Sequence, residues 1–137
     1  MIKVVYGVEP DQEWHDVITF MKEVAASEDI DISEIEIGDE SEGCAFASVY
    51  EKKIYLFSKS RAVALHELAH IETLEGHTWD WAICFAYFCK TYLQEQEYLR
   101  EMFKAEKQYK SVNGLVQYLA ANDSLDETSR WAWGKTK

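Results

Sequence analysis

The sequence predicts one domain that mixes β-strands with α-helices. Short runs rich in β-branched and aromatic residues sit in the first half. Longer stretches with apolar residues at helical spacing alternate with them and then fill the second half. No repeat, low-complexity tract or linker separates them, so residues 1–137 read as a single domain.

Ile2 to Val8, "IKVVYGV", reads as a strand. Pro10 opens a helix through about Ser27, with Trp14, Val17, Ile18, Met21, Val24 and Ala25 spaced to share one face. "SEIEIGD" sets Ile35 and Ile37 against acids, the pattern of a strand with one wet face, and Gly38 to Gly43 is a loop. "CAFASVY" and "KKIYLFS" flank a turn at Glu51-Lys52 as a hairpin. A helix starts near Arg61, and another near His77 runs, with a break, to about Lys110. Within it, Trp79 to Phe88 is apolar almost all round, as in a buried helix or a subunit contact, and core is the preferred reading. From Tyr92 to Tyr109 the apolar Leu99, Met102, Phe103 and Tyr109 lie among charges, an amphipathic pattern. Ser111 to Gly114 interrupts, a short helix spans Leu115 to Ala121, and the tail carries Trp131 and Trp133, which pack back or form an interaction patch.

Composition narrows the function classes. Apolar residues make up 47% and aromatics 14%, which fits a packed globule rather than a disordered chain. Net charge is −11, and Glu23 to Glu51 holds ten carboxylates without a Lys or Arg. Such a surface repels phosphate backbones and anionic lipid, so neither nucleic acid nor membrane is an expected partner. It attracts basic polypeptides, or simply keeps the protein soluble. Cys44, Cys84 and Cys89 form neither an even set nor a CxxC pair, so they read as reduced thiols of a cytoplasmic protein. No secretory leader is expected from "MIKVVYGVEPDQEW". The most apolar run, "WDWAICFAYFC", is far below the ~20 residues of a membrane span.

Three of the four histidines fall in "LHELAHIETLEGH", residues 65 to 77. His66-Glu67-Leu68-Ala69-His70 is an HExxH motif. On a helix its two imidazoles stand one turn apart on one face, where both can reach one ion. Zn²⁺ takes neutral imidazole nitrogens at ~2.0–2.1 Å, and a catalytic site adds a third protein ligand and an open position. Glu67 follows the first ligand directly and flanks that face, the place of a general base for a metal-activated water. Leu65, Leu68, Ala69, Ile71 and Leu74 supply the helix with an apolar surface.

His77 is the preferred third ligand, with Glu72, Glu75 or a more distant carboxylate as the alternatives. On a continued straight helix it would stand ~10 Å beyond His70, too far to share an ion. The helix is therefore expected to stop between Ile71 and Leu74, with Gly76 supplying unusual backbone dihedrals for the turn. His77 then lies at the start of the next helix.

Residues 43 to 90 resemble the SprT-like zinc metallopeptidases and the related small phage-type, minigluzincin-like metallopeptidases. The shared features are Gly43 and Ala45, a strand pair, HELAH at His66 to His70, Gly76-His77 and the aromatic Trp81. The resemblance implies an α+β zincin fold, with a small, mostly antiparallel sheet packed on the HExxH helix and further C-terminal helices. It also implies three histidine ligands and a catalytic glutamate. Thr78-Trp79-Asp80 departs from the family, which often continues GHG with Pro and Glu. The sequence has no four-cysteine ribbon, so the DNA-repair role of larger relatives is not carried over.

The expected activity is hydrolysis of a protein or peptide substrate by a zinc metallopeptidase. His66, His70 and His77 hold Zn²⁺, and Glu67 is the general base that then protonates the leaving amine. In similar zincins a strand at the sheet edge pairs with substrate; "KKIYLFS" is that strand or an ordinary core strand. Tyr55, Tyr87 and Tyr92 are candidates for stabilising an oxyanion. Asp80 either orients a ligand histidine or sits as an acid near a helix start. His15 reads as surface or core, not as a ligand. Two other functions stay open. One is a regulatory peptidase of the ImmA/IrrE type that cleaves a repressor, usually with a carboxylate third ligand. The other is a non-catalytic interaction protein that zinc merely fastens.

Overall fold

A computed structural model describes residues 1–121; Trp131 and Trp133 lie outside the described residues. The fold is α+β, with five α-helices and one four-stranded mixed sheet among the described residues. The chain divides into two compact units, Met1–Glu72 and the part from Thr73 onward.

The first unit runs β1 (Lys3–Tyr6), α1 (Gln12–Ser27), β2 (Glu34–Ile37), β3 (Phe46–Ser48), β4 (Lys53–Leu56) and all but the last residue of α2 (Arg61–Thr73). Sheet order is β1-β2-β4-β3. The β1–β2 and β2–β4 pairs are parallel, and only β3–β4 is antiparallel. The expectation of a mostly antiparallel sheet is therefore corrected. The physical reason is α1: a helix between two adjacent strands returns the chain to its starting end, which makes the second strand parallel to the first. A second correction concerns β4. It lies between β2 and β3, with Ile54 and Leu56 fully buried, so it is a core strand and offers no edge to a substrate.

The sheet has one dry and one wet face, as the alternation in "SEIEIGD" requires. Ile35, Ile37, Ile54 and Leu56 line the dry face. On the other, Lys53 Nζ reaches Glu34 at 2.7 Å and Glu36 at 3.5 Å, so one cation serves two neighbouring acids. The hydrogen bond to Glu34 holds the Lys53 ammonium more firmly protonated than a free lysine. Phe46 stacks on Tyr55 beside them, centroids 4.3 Å apart.

α1 is built as its spacing indicates. Trp14, Val17, Ile18, Met21, Val24 and Ala25 are all buried. Its cap is Asp11 rather than Pro10: the carboxylate accepts from the Trp14 amide at 2.9 Å and pairs with Lys59 at 2.5 Å. At the far end Asp29 takes φ 56°, and Ile30 N donates to Ala25 O at 2.8 Å, the pattern of a Schellman stop. His15 is exposed, beside Tyr6.

The second unit holds α3 (Trp79–Tyr92), α4 (Glu95–Gln108), a 3₁₀ turn (Lys110–Val112) and α5 (Leu115–Ala121). The expected break in the long helical segment falls at Leu93-Gln94. α3 is buried on most of its circumference, from Trp81 through Cys89, so its apolar run is core. On α4 the buried residues are Tyr98, Met102 and Ala105, whereas Leu99 and Phe103 are exposed. Of the expected stripe Met102 is thus buried and Tyr109 half-buried, while Tyr98 and Ala105 take the inward places of Leu99 and Phe103. Gly114, at φ 89°, turns the chain into α5, whose Val116 amide donates to Glu106 at 3.0 Å. Cys84 and Cys89 are buried and Cys44 is exposed, and none of the three is in a disulfide among the described residues.

Candidate metal centre

α2 supplies the first two donors. Ser60 accepts from the Val63 amide at 3.2 Å and closes the helix's first turn. Ala62, Ala64, Leu65, Leu68, Ala69 and Ile71 bury its apolar side. With that side anchored, His66 and His70 project one turn apart, as the i, i+4 spacing demands. Their ring centroids are 4.9 Å apart at 67°.

The helix stops where expected, but by another residue. α2 ends at Thr73, and Leu74 adopts φ 58°. Gly76 has no left-handed backbone, and a Cβ there would meet nothing within 4 Å. The turn is therefore made by a strained leucine, 61% exposed, rather than by the glycine. Leu74 also leaves the apolar surface it was expected to join. Thr78 caps α3, its Oγ1 accepting from the Trp81 amide at 3.4 Å and donating to Glu75 at 3.2 Å. His77 is the residue just before that cap.

Once the chain has turned, one ligand atom from each of His66, His70 and His77 lies within 4.8 Å of the others. It is the group among the described residues that can hold a metal ion, and neither Glu72 nor Glu75 belongs to it. Tetrahedral zinc at the bond lengths above sets nitrogens ~3.4 Å apart. A limit of 4.8 Å puts the three donors close enough together to be candidates for one ion. The donor set is all imidazole, which fits borderline-soft divalent ions.

Glu67 sits beside the first ligand, 4% exposed, with Oε2 4.0 Å from His66 Nε2. Burial pushes its carboxyl from the ordinary 4.5 up to about 7, because the charged form loses its water. A carboxyl poised there can take and give a proton near neutral pH.

Compared with protein-family models, with characterised proteins and with solved structures, this chain matches none. The site is read from its own residues.

Two residues shape the surroundings of His77. Trp81, fully buried, meets the imidazole edge-on, centroids 4.7 Å apart at 83°. Tyr109 stacks flat on a face of the ring, centroids 3.7 Å apart at 13°. Sequence reasoning placed Tyr109 only on an amphipathic helix and missed it here. Nothing in local spacing links it to His77. Of the other tyrosines, Tyr55 stacks on Phe46, Tyr87 is buried in α3, and Tyr92 is that helix's last residue. Asp80 is exposed in the first turn of α3, the ordinary place for an acid at a helix start.

No helix among the described residues is long and apolar enough to cross a membrane.

Proposed function

We propose that this protein is a zinc-dependent metallopeptidase acting on a protein or peptide substrate. The observation that carries the reading is a three-imidazole group within 4.8 Å with a buried carboxylate next to its first member. A divalent cation held there supplies Lewis acidity, polarising a carbonyl and acidifying water. His66, His70 and His77 hold the ion, and three neutral imidazoles favour zinc over the hard cations magnesium and calcium. Glu67 accepts the proton of the attacking water and delivers it to the departing amine. Its burial keeps bulk water from competing for that proton, and a neighbouring cation draws the carboxyl back toward its ionised, basic form.

The resemblance to SprT-like and small phage-type metallopeptidases agrees with this reading through residues 43 to 90. Buried Cys84 and Cys89, kept as thiols, fit a reducing cytoplasm. The strongly acidic chain fits a polypeptide substrate better than nucleic acid.

One observation favours a second reading, a non-catalytic protein fastened by its ion: His77 is built into a packed aromatic group. Against it stands Glu67, since burying a carboxylate is costly and a purely structural ion has no use for one there. The test compares new protein termini in cells expressing wild type or Glu67→Gln. The expected result is termini that arise only with wild type. Identical termini in both would leave the fastening role.

A further inference from the structure

We propose that Tyr109 is a positioning residue for the third metal ligand, holding the His77 imidazole in the orientation that binds the ion. This rests on the metal-site reading above.

His66 and His70 are oriented by the helix that carries them. His77 lies outside both helices, after the end of α2 and just before the cap of α3. Its ring would lose torsional freedom on meeting a cation, and that loss weakens binding unless the ring is ordered beforehand. The second unit provides the order in three ways. Tyr109 lies flat against the imidazole, 3.7 Å between centroids. Trp81 closes against it edge-on, and also meets Tyr109 at 5.6 Å and 87°, so the three rings brace one another. Ser111 Oγ donates a hydrogen bond to the His77 backbone carbonyl, tying down the main chain beneath the ring. Tyr109 and Ser111 flank the start of one short turn, whose Val112 is fully buried, so both act from the same anchored segment.

The stack has an electronic side as well. An imidazole bound to a cation is electron-poor, and the face of a tyrosine ring is electron-rich. The contact therefore strengthens when the metal binds, and Tyr109 favours the loaded state beyond merely restricting the ring. By linkage, the ion in turn stabilises the turn that carries Tyr109.

The test is Zn²⁺ affinity by competition with a chromophoric chelator, for wild type, Tyr109→Phe, Tyr109→Leu and Tyr109→Ala, with far-UV circular dichroism on each. Phe keeps the stacked face and is expected to bind as wild type. Ala is expected to bind about 10–100-fold more weakly, the range for residues that orient a ligand. Leu retains bulk without the π-face and is expected to fall between them. In Co²⁺-substituted protein, the visible bands of Tyr109→Ala are expected to shift toward those of His77→Ala. If Ala does not fold, Leu and Ser111→Ala carry the test, each expected to weaken binding with secondary structure kept. Equal affinity in all variants would overturn the positioning role while leaving the metal site standing. Wild type that binds no Zn²⁺ would overturn the site itself, and the inference with it.

Discussion

The Glu67 carboxylate lies 4.0 Å from Nε2 of His66 and is 4% exposed, so the HExxH helix buries its acid while its first histidine stays half-exposed. In metal-free protein that burial makes stability depend on pH. The folded state holds the Glu67 proton up to about pH 7, whereas an ordinary glutamate releases it near 4.5. The folded state's advantage is then full below about 4.5 and is lost as pH rises through about 7. The whole difference is on the order of 3 kcal/mol. Urea unfolding in the presence of a chelator, at pH 5 and pH 8, is expected to show wild type losing stability relative to Glu67→Gln by that order. Parallel behaviour of the two proteins would mean the carboxyl is not buried as described.

Leu74 stores backbone strain at the end of α2. A β-carbon at φ 58° costs ~1–2 kcal/mol relative to glycine, and the exposed side chain returns little packing. Leu74→Gly is expected to raise stability by about 1 kcal/mol, an unusual sign for a leucine-to-glycine change. Gly76→Ala, at a position with open space and no left-handed backbone, is expected to be neutral or slightly stabilising. Thermal unfolding of both variants checks the pair. A destabilised Gly76→Ala would return the turn to the glycine.

The same pair shows what could be read from sequence and what could not. The helix had to end before Leu74, because rise per residue forbids a shared ion otherwise, and it does. Which residue turns the chain was not legible, since φ at one position depends on packing around both neighbours. The alternation of Ile35 and Ile37 announced a half-wet strand, but alternation carries no information about neighbours or direction. Parallel pairing and the interior place of β4 follow from connections, and α1 between β1 and β2 was the available clue. The grouping of His66, His70 and His77 was legible because their spacing is local. Tyr109 was not, because it reaches His77 only through tertiary packing.

Thr78 holds the start of α3 by accepting from the Trp81 amide and donating to Glu75. Thr78→Ala is expected to cost about 1 kcal/mol, and Thr78→Ser to restore most of it. Because His77 is the preceding residue, chelator competition is expected to show weaker Zn²⁺ binding in the alanine variant. Unfolding curves that superimpose on wild type would show that the cap carries no weight.

Zinc binding by wild type and by three single variants, His66→Ala, His70→Ala and His77→Ala, tests most directly whether these imidazoles share one ion. Titration of the purified chain against a chelator of known affinity is expected to give one Zn²⁺ per wild-type chain. Each variant is expected to bind at least about 100-fold more weakly, as loss of one of three ligands from a site of this kind requires. A His77→Ala protein that binds zinc as tightly as wild type would contradict the shared site, and the peptidase proposal would fall with it.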